Sequence, residues 1–183
     1  SSKPIFLDGK IYLRTDESIM VFNKADGNII NKFPLYGYRL YSDGQNLFVN
    51  ASNFIYKMNK ENGNIDWRYN QDDVYIEVIE KGNIYCDITT DPLLKKINAS
   101  TGKLVWKIPM DDNYYDVEKV ISTDRYDIIE RTDGCIYILD QETGEKLWRF
   151  EKTVDSDNLL WKVHENQLII FDGDRSIYCY LFK

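Results

Sequence analysis

Apolar and polar residues alternate in several segments of this chain with a period of two rather than the helical period of about 3.6. In one segment, Ile65, Trp67 and Tyr69 would share one side of an extended backbone, with Asp66 and Arg68 on the other side. A helix would spread the same five residues around its circumference. The pattern therefore predicts short β-strands, and no helical pattern of useful length occurs along the chain.

Four of these segments align with one another without gaps. They are NKADGNIINKF from Asn23, NKENGNIDWRY from Asn59, NASTGKLVWKI from Asn98 and DQETGEKLWRF from Asp140. Their glycines are spaced by 36, 39 and 42 residues and are Gly27, Gly63, Gly102 and Gly144. Four residues after the glycine stand Asn31, Trp67, Trp106 and Trp148. A period near 40 residues is typical of a repeat architecture.

Each repeat predicts four antiparallel strands joined by tight turns. Turns such as Asp8-Gly9 and Asp43-Gly44 separate the first and second strands, and the aligned glycine lies between the third and fourth. Four strands in about 40 residues are what a propeller blade requires. We therefore predict one all-β domain over residues 1–183, a β-propeller of about five blades. The predicted blades are 4–33, 38–69, 74–108, 116–150 and 158–182.

The repeat unit resembles that of a known family. Residues Cys135–Phe150 (CIYILDQETGEKLWRF) carry the pattern most fully, and Asn98–Ile108 comes next. They are similar to the repeat of quinoprotein-like propellers, which include the pyrroloquinoline-quinone enzymes and a bacterial outer-membrane assembly scaffold. The resemblance implies that Trp67, Trp106 and Trp148 dock between neighbouring blades and are structural.

The same resemblance raises the question of a quinone cofactor. Quinone enzymes of this family are far longer, bind the cofactor beside calcium, and often carry two adjacent cysteines. This chain has no Cys-Cys pair and fewer predicted blades, so we expect no cofactor. We also expect no metal, because the acidic turns at 155–158 and 172–176 lack the ligand spacing of a calcium loop and the cysteines form no zinc-type pair.

The fifth repeat supplies only three strands. Aligning IYCYL with IYILD places Leu181 where Asp140 stands in the repeat before it, so the outer strand is missing. We expect one of three arrangements: N-terminal residues double as the missing strand, the chain is part of a longer propeller, or another chain donates a strand at the open edge.

The composition of the chain limits the classes of partner that it is expected to bind. The formal net charge is −7 and no basic patch opposes it, so neither nucleic acid nor an anionic membrane surface is an expected partner. No apolar run reaches the length of about 18 residues that a membrane helix needs. Cys86, Cys135 and Cys179 are expected to be buried, reduced thiols. Reduced cysteines and the lack of a visible secretory signal favour the cytoplasm and leave an extracytoplasmic location open.

Charge placement points to a protein partner. Because the strands alternate in direction, the second-to-third turns and the interblade loops lie on one face of the disc, which we call the interblade-loop face. Acidic residues and tyrosines concentrate there, whereas the opposite face mixes both signs of charge. We predict that this face binds a basic protein or peptide. The predicted contact residues are Asp72, Asp73, Tyr75, Asp111, Asp112, Tyr114, Tyr115 and Asp116.

We expect a non-catalytic scaffold, adaptor or inhibitor-type module rather than an enzyme. The only histidine, His164, lies in a predicted turn, and no nucleophile elbow, zinc-protease motif or phosphate loop is present. The alternative is a small glycosidase-like hydrolase with carboxylates near the central channel. Glu77, Glu80 and Glu118 are the glutamates of the predicted first strands that could supply them.

Overall fold

The computed structural model describes residues 3–51, 53–88, 91–110, 116–151, 160–165, 167–171 and 176–182. In this part of the chain, 19 strands form five antiparallel sheets. The first two sheets contain β1 (Ile5–Leu7), β2 (Lys10–Arg14), β3 (Ile19–Asn23) and β4 (Ile29–Phe33), then β5 (Arg39–Ser42), β6 (Leu47–Ala51), β7 (Phe54–Met58) and β8 (Ile65–Asn70). The next two contain β9 (Val74–Glu80), β10 (Asn83–Ile88), β11 (Asp91–Asn98) and β12 (Leu104–Pro109), then β13 (Val117–Ser122), β14 (Tyr126–Arg131), β15 (Ile136–Asp140) and β16 (Lys146–Phe150). The last contains β17 (Leu160–His164), β18 (Gln167–Phe171) and β19 (Ile177–Leu181).

Strands follow one another in chain order within every sheet. The prediction of an all-β propeller with about five blades is therefore confirmed, including a fifth sheet of three strands in the described part of the chain. None of the described residues belongs to a helix that could cross a membrane.

The hydrophobic core lies between the sheets rather than inside any one of them. Four clusters of buried apolar side chains join the first sheet to the second, the second to the third, the third to the fourth and the fourth to the fifth. None of these clusters, formed by the described residues, joins the fifth sheet to the first. The five sheets therefore form an open series, in which each inner sheet buries both of its faces against neighbours.

First strands lie towards the centre and fourth strands at the rim. Neighbouring sheets touch through their first strands, β1 with β5 and β9 with β13. The fourth strands are more exposed, with Ile29 at 62% and Leu104 at 42% of full exposure. Side chains of the first strands are therefore the ones that surround the central channel.

An aromatic ring from one sheet packs on the third-to-fourth turn of the next. The Trp106 ring of the third sheet lies against Gly144 of the fourth, and its indole N–H donates to the carbonyl oxygen of Gln141 at 3.1 Å. Trp67 lies in the same way against Gly102. Because both glycines have positive φ and no side chain, the ring contacts the turn directly.

The first sheet makes this contact with a different residue. Asn31 occupies the position of the tryptophan, but Phe33 lies two residues further along the same strand and packs its ring on Gly63. Trp148 in the fourth sheet contacts Tyr180, with ring centroids 5.0 Å apart. An aromatic side chain of the fourth strand therefore joins each of the first four sheets to its successor.

Adjacent lysines on β11 serve two different interfaces. Lys96 is 2% exposed and donates to the Oδ2 atom of fully buried Asp127 in the fourth sheet, at 2.7 Å. Lys95 points the other way, as successive strand residues do, and donates to the Gln71 side chain at 2.7 Å. Both charges are therefore inside the protein, and neither contributes to a basic surface.

The expectation of three buried cysteines is wrong for one of them. All three thiols are free, and Cys86 and Cys135 are buried, but Cys179 is exposed. Cys179 lies on β19, which pairs only with β18 among the described strands. Its exposure follows because Tyr178 and Tyr180 point towards the fourth sheet, so Cys179 points to the other face of the fifth sheet, which no core cluster of the described residues covers.

The ring-on-turn contact predicts different costs for two glycine substitutions of nearly equal φ. Gly144 has φ +75° and Gly82 has φ +73°, so alanine meets similar backbone strain at either, about 1–2 kcal/mol. A Cβ at position 144 would also lie 2.8 Å from Cδ2 of Trp106, whereas one at position 82 meets nothing within 4 Å. Gly144→Ala should lower the free energy of unfolding in urea by at least about 1 kcal/mol more than Gly82→Ala. If the two variants lose the same free energy of unfolding, the contact between the Trp106 ring and the Gly144 turn is contradicted.

Candidate functional site

The structure describes four of the eight residues predicted to bind a partner. Asp72, Asp73, Tyr75 and Asp116 are described, whereas Asp111, Asp112, Tyr114 and Tyr115 lie outside the described residues. Asp72 and Asp73 lie in the connection between the second and third sheets, Asp116 lies just before the fourth sheet, and Tyr75 lies within β9.

Asp72 and Asp73 lie on a loop that is fixed at its base. The Gln71 N–H donates to the carbonyl oxygen of Asn53 at 3.0 Å, and the Gln71 side chain accepts from buried Lys95. Asp73 has φ +52°, a conformation that Asp adopts more readily than most residues. Asp72 is exposed and Asp73 partly buried, so the loop presents one fully solvated carboxylate.

Tyr75 is placed away from that solvated position. It is the second residue of the inner strand β9, it is partly buried, and it pairs across the ladder with buried Asp87 on β10. The neighbouring Tyr41 hydroxyl is the main group that raises the pKa of the Arg39 guanidinium on β5, and Tyr75 contributes to the same shift. Tyr75 therefore belongs to the wall of the channel, beside charged groups.

A cluster of three carboxylates forms at this wall, around Glu77. The pairing between β9 and β10 shifts register there, so Glu77 is the extra residue of a β-bulge. The pKa of Glu77 is raised to about 7, chiefly by burial and also by the nearby charges of Asp87 and Asp116, while Arg39 opposes the shift. We call Arg39, Glu77, Asp87 and Asp116 the channel cluster.

The channel cluster contains residues that the sequence analysis did not select. Glu77 is one of the three glutamates considered for acid–base chemistry, and the fold brings it near two aspartates from other strands or loops. Arg39 and Asp87 were not considered. A signal for Asp87 was present, since an aspartate inside the apolar strand segment IYCDI is unusual and its burial requires a local reason.

One charge expected on the interblade-loop face is internal. From the strand order, Arg131 at the second-to-third turn of the fourth repeat would be a cation of that face, but it is 2% exposed. Its guanidinium donates to Asp133 at 2.9 Å and to the Tyr137 hydroxyl at 3.0 Å. Because Arg131 and Asp133 neutralise one another inside the fourth sheet, neither adds much charge to the surface.

Metal chemistry gains no support from the described residues. Among them, no group of three or more His, Cys, Asp or Glu side chains has the arrangement of a metal site. What the channel cluster can do chemically is exchange a proton at Glu77 near neutral pH and present mixed charges to a ligand in the channel.

Five sheets of antiparallel strands around a channel, with aromatic residues docked on the turns between them, define an open β-propeller. A sequence model described as "Outer membrane protein assembly factor BamB" matches residues 72–179, which is more than half of the chain. The chain belongs to this family of PQQ-like repeat proteins. A search of curated protein sequences gave no match.

Solved structures share the fold at low sequence identity. BamB from Moraxella catarrhalis superimposes with a TM-score of 0.63 at 14% identity, over 97% of this chain and 56% of that one. The computationally designed Ika8 protein gives 0.65 at 13% identity, over 98% and 57%. The C-terminal WD40 domain of Sif2 gives 0.63 at 11% identity, over 96% and 55%. The chain thus spans little more than half the length of these structures.

Glu77 predicts a measurable pH dependence of stability. Between its ordinary pKa near 4.5 and its folded value of about 7, the unfolded chain loses the proton that the folded chain retains. The free energy of unfolding should therefore fall as pH rises through this window. Glu77→Gln cannot ionise, so its stability relative to the parent should be higher at pH 8 than at pH 5.

Urea unfolding of both proteins at the two pH values measures this difference. Glu118→Gln is the matched control, since Glu118 also lies on a first strand but is exposed. If Glu77→Gln and Glu118→Gln show the same change between pH 5 and pH 8, the account of Glu77 is wrong.

Proposed function

We propose that this chain is a non-catalytic protein-binding propeller, of scaffold, adaptor or inhibitor type, whose interblade-loop face binds a basic protein or peptide. The observation that carries the proposal is the fixed loop at Asp72, which holds an exposed carboxylate on an anchored backbone. A site on a rigid support loses little entropy on binding. Function also tends to concentrate in loops carried by a stable scaffold.

Other features of the face support the same proposal. Asp116 is exposed, and Tyr36 is 59% exposed on the loop between the first and second sheets. Tyrosines add contact area with few rotatable bonds, and carboxylates attract a cationic partner over about 8 Å at physiological salt. The family description names an assembly factor, which is a protein-binding role. The net charge of −7 argues against a nucleic acid partner.

Charge reversal on the loops tests this proposal. The test variant combines Asp72→Lys, Asp111→Lys and Asp112→Lys with Asp73→Asn, because Asn keeps the positive φ at position 73. The partner is first isolated by affinity capture from the native host, and its association rate is then measured at low and physiological salt. We expect the variant to associate at least about tenfold more slowly at low salt, with a smaller difference at physiological salt.

A matched control variant distinguishes the effect of charge on the interblade-loop face from the effect of the net charge of the whole chain. Glu61→Lys, Glu142→Lys and Glu145→Lys with Asp66→Asn change the net charge equally, at exposed positions in or beside the third-to-fourth turns of the opposite face. These substitutions should leave the association rate nearly unchanged. Equal slowing by the two variants, or no slowing by either at low salt, would mean that the acidic loops are only a solvated surface.

We also propose that the open edge of the fifth sheet accepts a strand from another chain. Among the described strands, β19 pairs only with β18, so the backbone N–H and C=O groups of its other edge have no strand partner there. Such an edge is a template for strand addition. Alkylation tests this, because Cys179 should react rapidly and buried Cys86, whose pKa burial raises, should react slowly. A captured partner that donates a strand should protect Cys179, and unchanged reactivity would contradict donation.

A small glycosidase-like hydrolase is the second candidate function. The observation in its favour is the pKa of about 7 at Glu77, which suits a general acid beside Asp87 and Asp116. Hydrolysis of a glycoside by the parent that disappears in Glu77→Gln would establish it in place of the non-catalytic proposal.

A further inference from the structure

A cavity of about 540 Å³ lies between the first and second sheets, beside the channel cluster. The inner strands β1 and β5 contribute most of its wall, and the end of β2 contributes Arg14. Its volume is within the range of pockets that bind small molecules or short peptide segments. Among the described residues that line it, none is a residue predicted from the sequence to bind a partner.

The charge of the cavity is opposite to that of the chain. Lys3, Arg14 and Arg39 line it, and no carboxylate is among its described lining residues. The chain as a whole carries a net charge of −7 and shows no basic patch along its sequence, but the fold brings these three cations together, which is a local reversal of charge. A cavity lined in this way favours anions.

Arg14 is held in position before any ligand arrives. One of its terminal nitrogens donates to the carbonyl oxygen of Tyr38 at 2.8 Å, and the other donates to the carboxylate of fully exposed Asp16 at 3.2 Å. The Tyr38 N–H in turn donates to the carbonyl oxygen of Asn50 at 2.6 Å, which ties this segment to β6. A guanidinium has five N–H donors, so these two contacts leave donors for a carboxylate.

Most of the remaining wall is apolar or aromatic. Ile5, Leu40, Tyr38 and Tyr41 line the cavity together with the three cations and Ser42. An inorganic ion would leave these surfaces uncovered, whereas a peptide covers them with its own side chains. A nucleic acid strand would extend beyond the cavity and be repelled by the acidic loops of the same face. A short peptide segment confined to the cavity would avoid this repulsion.

We propose that this cavity binds an acidic peptide segment, with a carboxylate against Arg14 and Arg39 and a neighbouring apolar side chain against Ile5 and Tyr38. Recognition of acidic motifs by clustered arginines is an established binding mode in other proteins. The site is separate from the one proposed above, because it selects the opposite charge and uses none of the acidic loop residues.

A substitution at Glu77 should change the affinity for an acidic peptide in the direction opposite to a substitution at Arg39. Its carboxylate lies near enough to Arg39 for each to affect the pKa of the other, so it competes with a ligand carboxylate for that guanidinium. Removing the charge at Glu77 should therefore strengthen the binding of an acidic peptide, whereas removing the charge at Arg39 should weaken it.

The experiment uses two short fluorescein-labelled peptides, one of alternating glutamate and leucine and one with glutamine in place of glutamate. Fluorescence anisotropy should show that the glutamate peptide binds the intact chain and that the glutamine peptide does not. Arg39→Gln should weaken binding at least about tenfold, as expected for a lost charged hydrogen bond. Glu77→Gln should bind more tightly than the parent, and Asp72→Lys should retain binding.

Arg39 is the primary variant because its side chain is exposed, whereas Arg14 also ties two sheets together. An unchanged unfolding midpoint in urea confirms that Arg39→Gln remains folded. The proposal is overturned if the glutamate peptide does not bind, if the glutamine peptide binds equally well, or if Arg39→Gln has no effect. Displacement of the peptide by inorganic phosphate at equal concentration would also overturn it, since that would show a site for simple anions.

Discussion

The contact of an aromatic ring with a glycine turn is the interaction on which the rest of this structure depends. A single four-stranded sheet cannot bury both faces by itself, so each blade needs neighbours. The ring of Trp106 reaches the turn of the next sheet because Gly144 has no side chain and has positive φ. The indole N–H then satisfies the carbonyl oxygen of Gln141, which fixes the orientation of the ring as well as its depth. Repeating this contact sets the spacing of the sheets.

That spacing also produces the two candidate sites. When neighbouring sheets pack, their first strands converge on the channel and bring together groups far apart in sequence, such as Arg39 with Glu77 and Asp116. The cavity lies on one side of this cluster and the acidic loop of Asp72 belongs to the adjoining connection. The cationic cavity and the acidic loop therefore belong to different connections, the first between the first and second sheets and the second between the second and third sheets. The pair of Lys96 and Asp127 is buried, so its charges add to neither candidate site.

Much of the fold could be predicted from the sequence because its signals are local and repeated. Period-two alternation and glycine turns indicated the strands, and the repeat indicated the sheets. The role of Phe33 was not predicted, because Asn31 stands at the position that aligns with the tryptophans. Only the packing shows that the Phe33 ring, two residues later, lies on the next turn as the tryptophan rings do. The burial of Lys95 and Arg131 was missed for a related reason: Lys95 finds its partner in another sheet and Arg131 at a neighbouring turn.

The candidate site was less predictable than the fold. Asp72 and Asp116 are exposed and their binding of a partner stays a prediction, whereas Tyr75 lies on the channel wall because it belongs to β9 and not to the loop before it. The cations of the cavity come from three separate segments, Lys3, Arg14 and Arg39, and no spacing along the chain connects them. Sites formed between blades are visible only after the blades have been packed together.

A double-mutant cycle on Trp106→Ala and Gly144→Ala tests the ring-on-turn contact most directly. Trp106→Ala alone should cost about 3–5 kcal/mol of unfolding free energy, since it empties a buried interface. In that background no indole remains to clash with a Cβ at position 144, so the second substitution should cost at least about 1 kcal/mol less than it does in the parent. Losses that add to within about 0.5 kcal/mol would show that the ring and the turn do not interact, and would contradict the account.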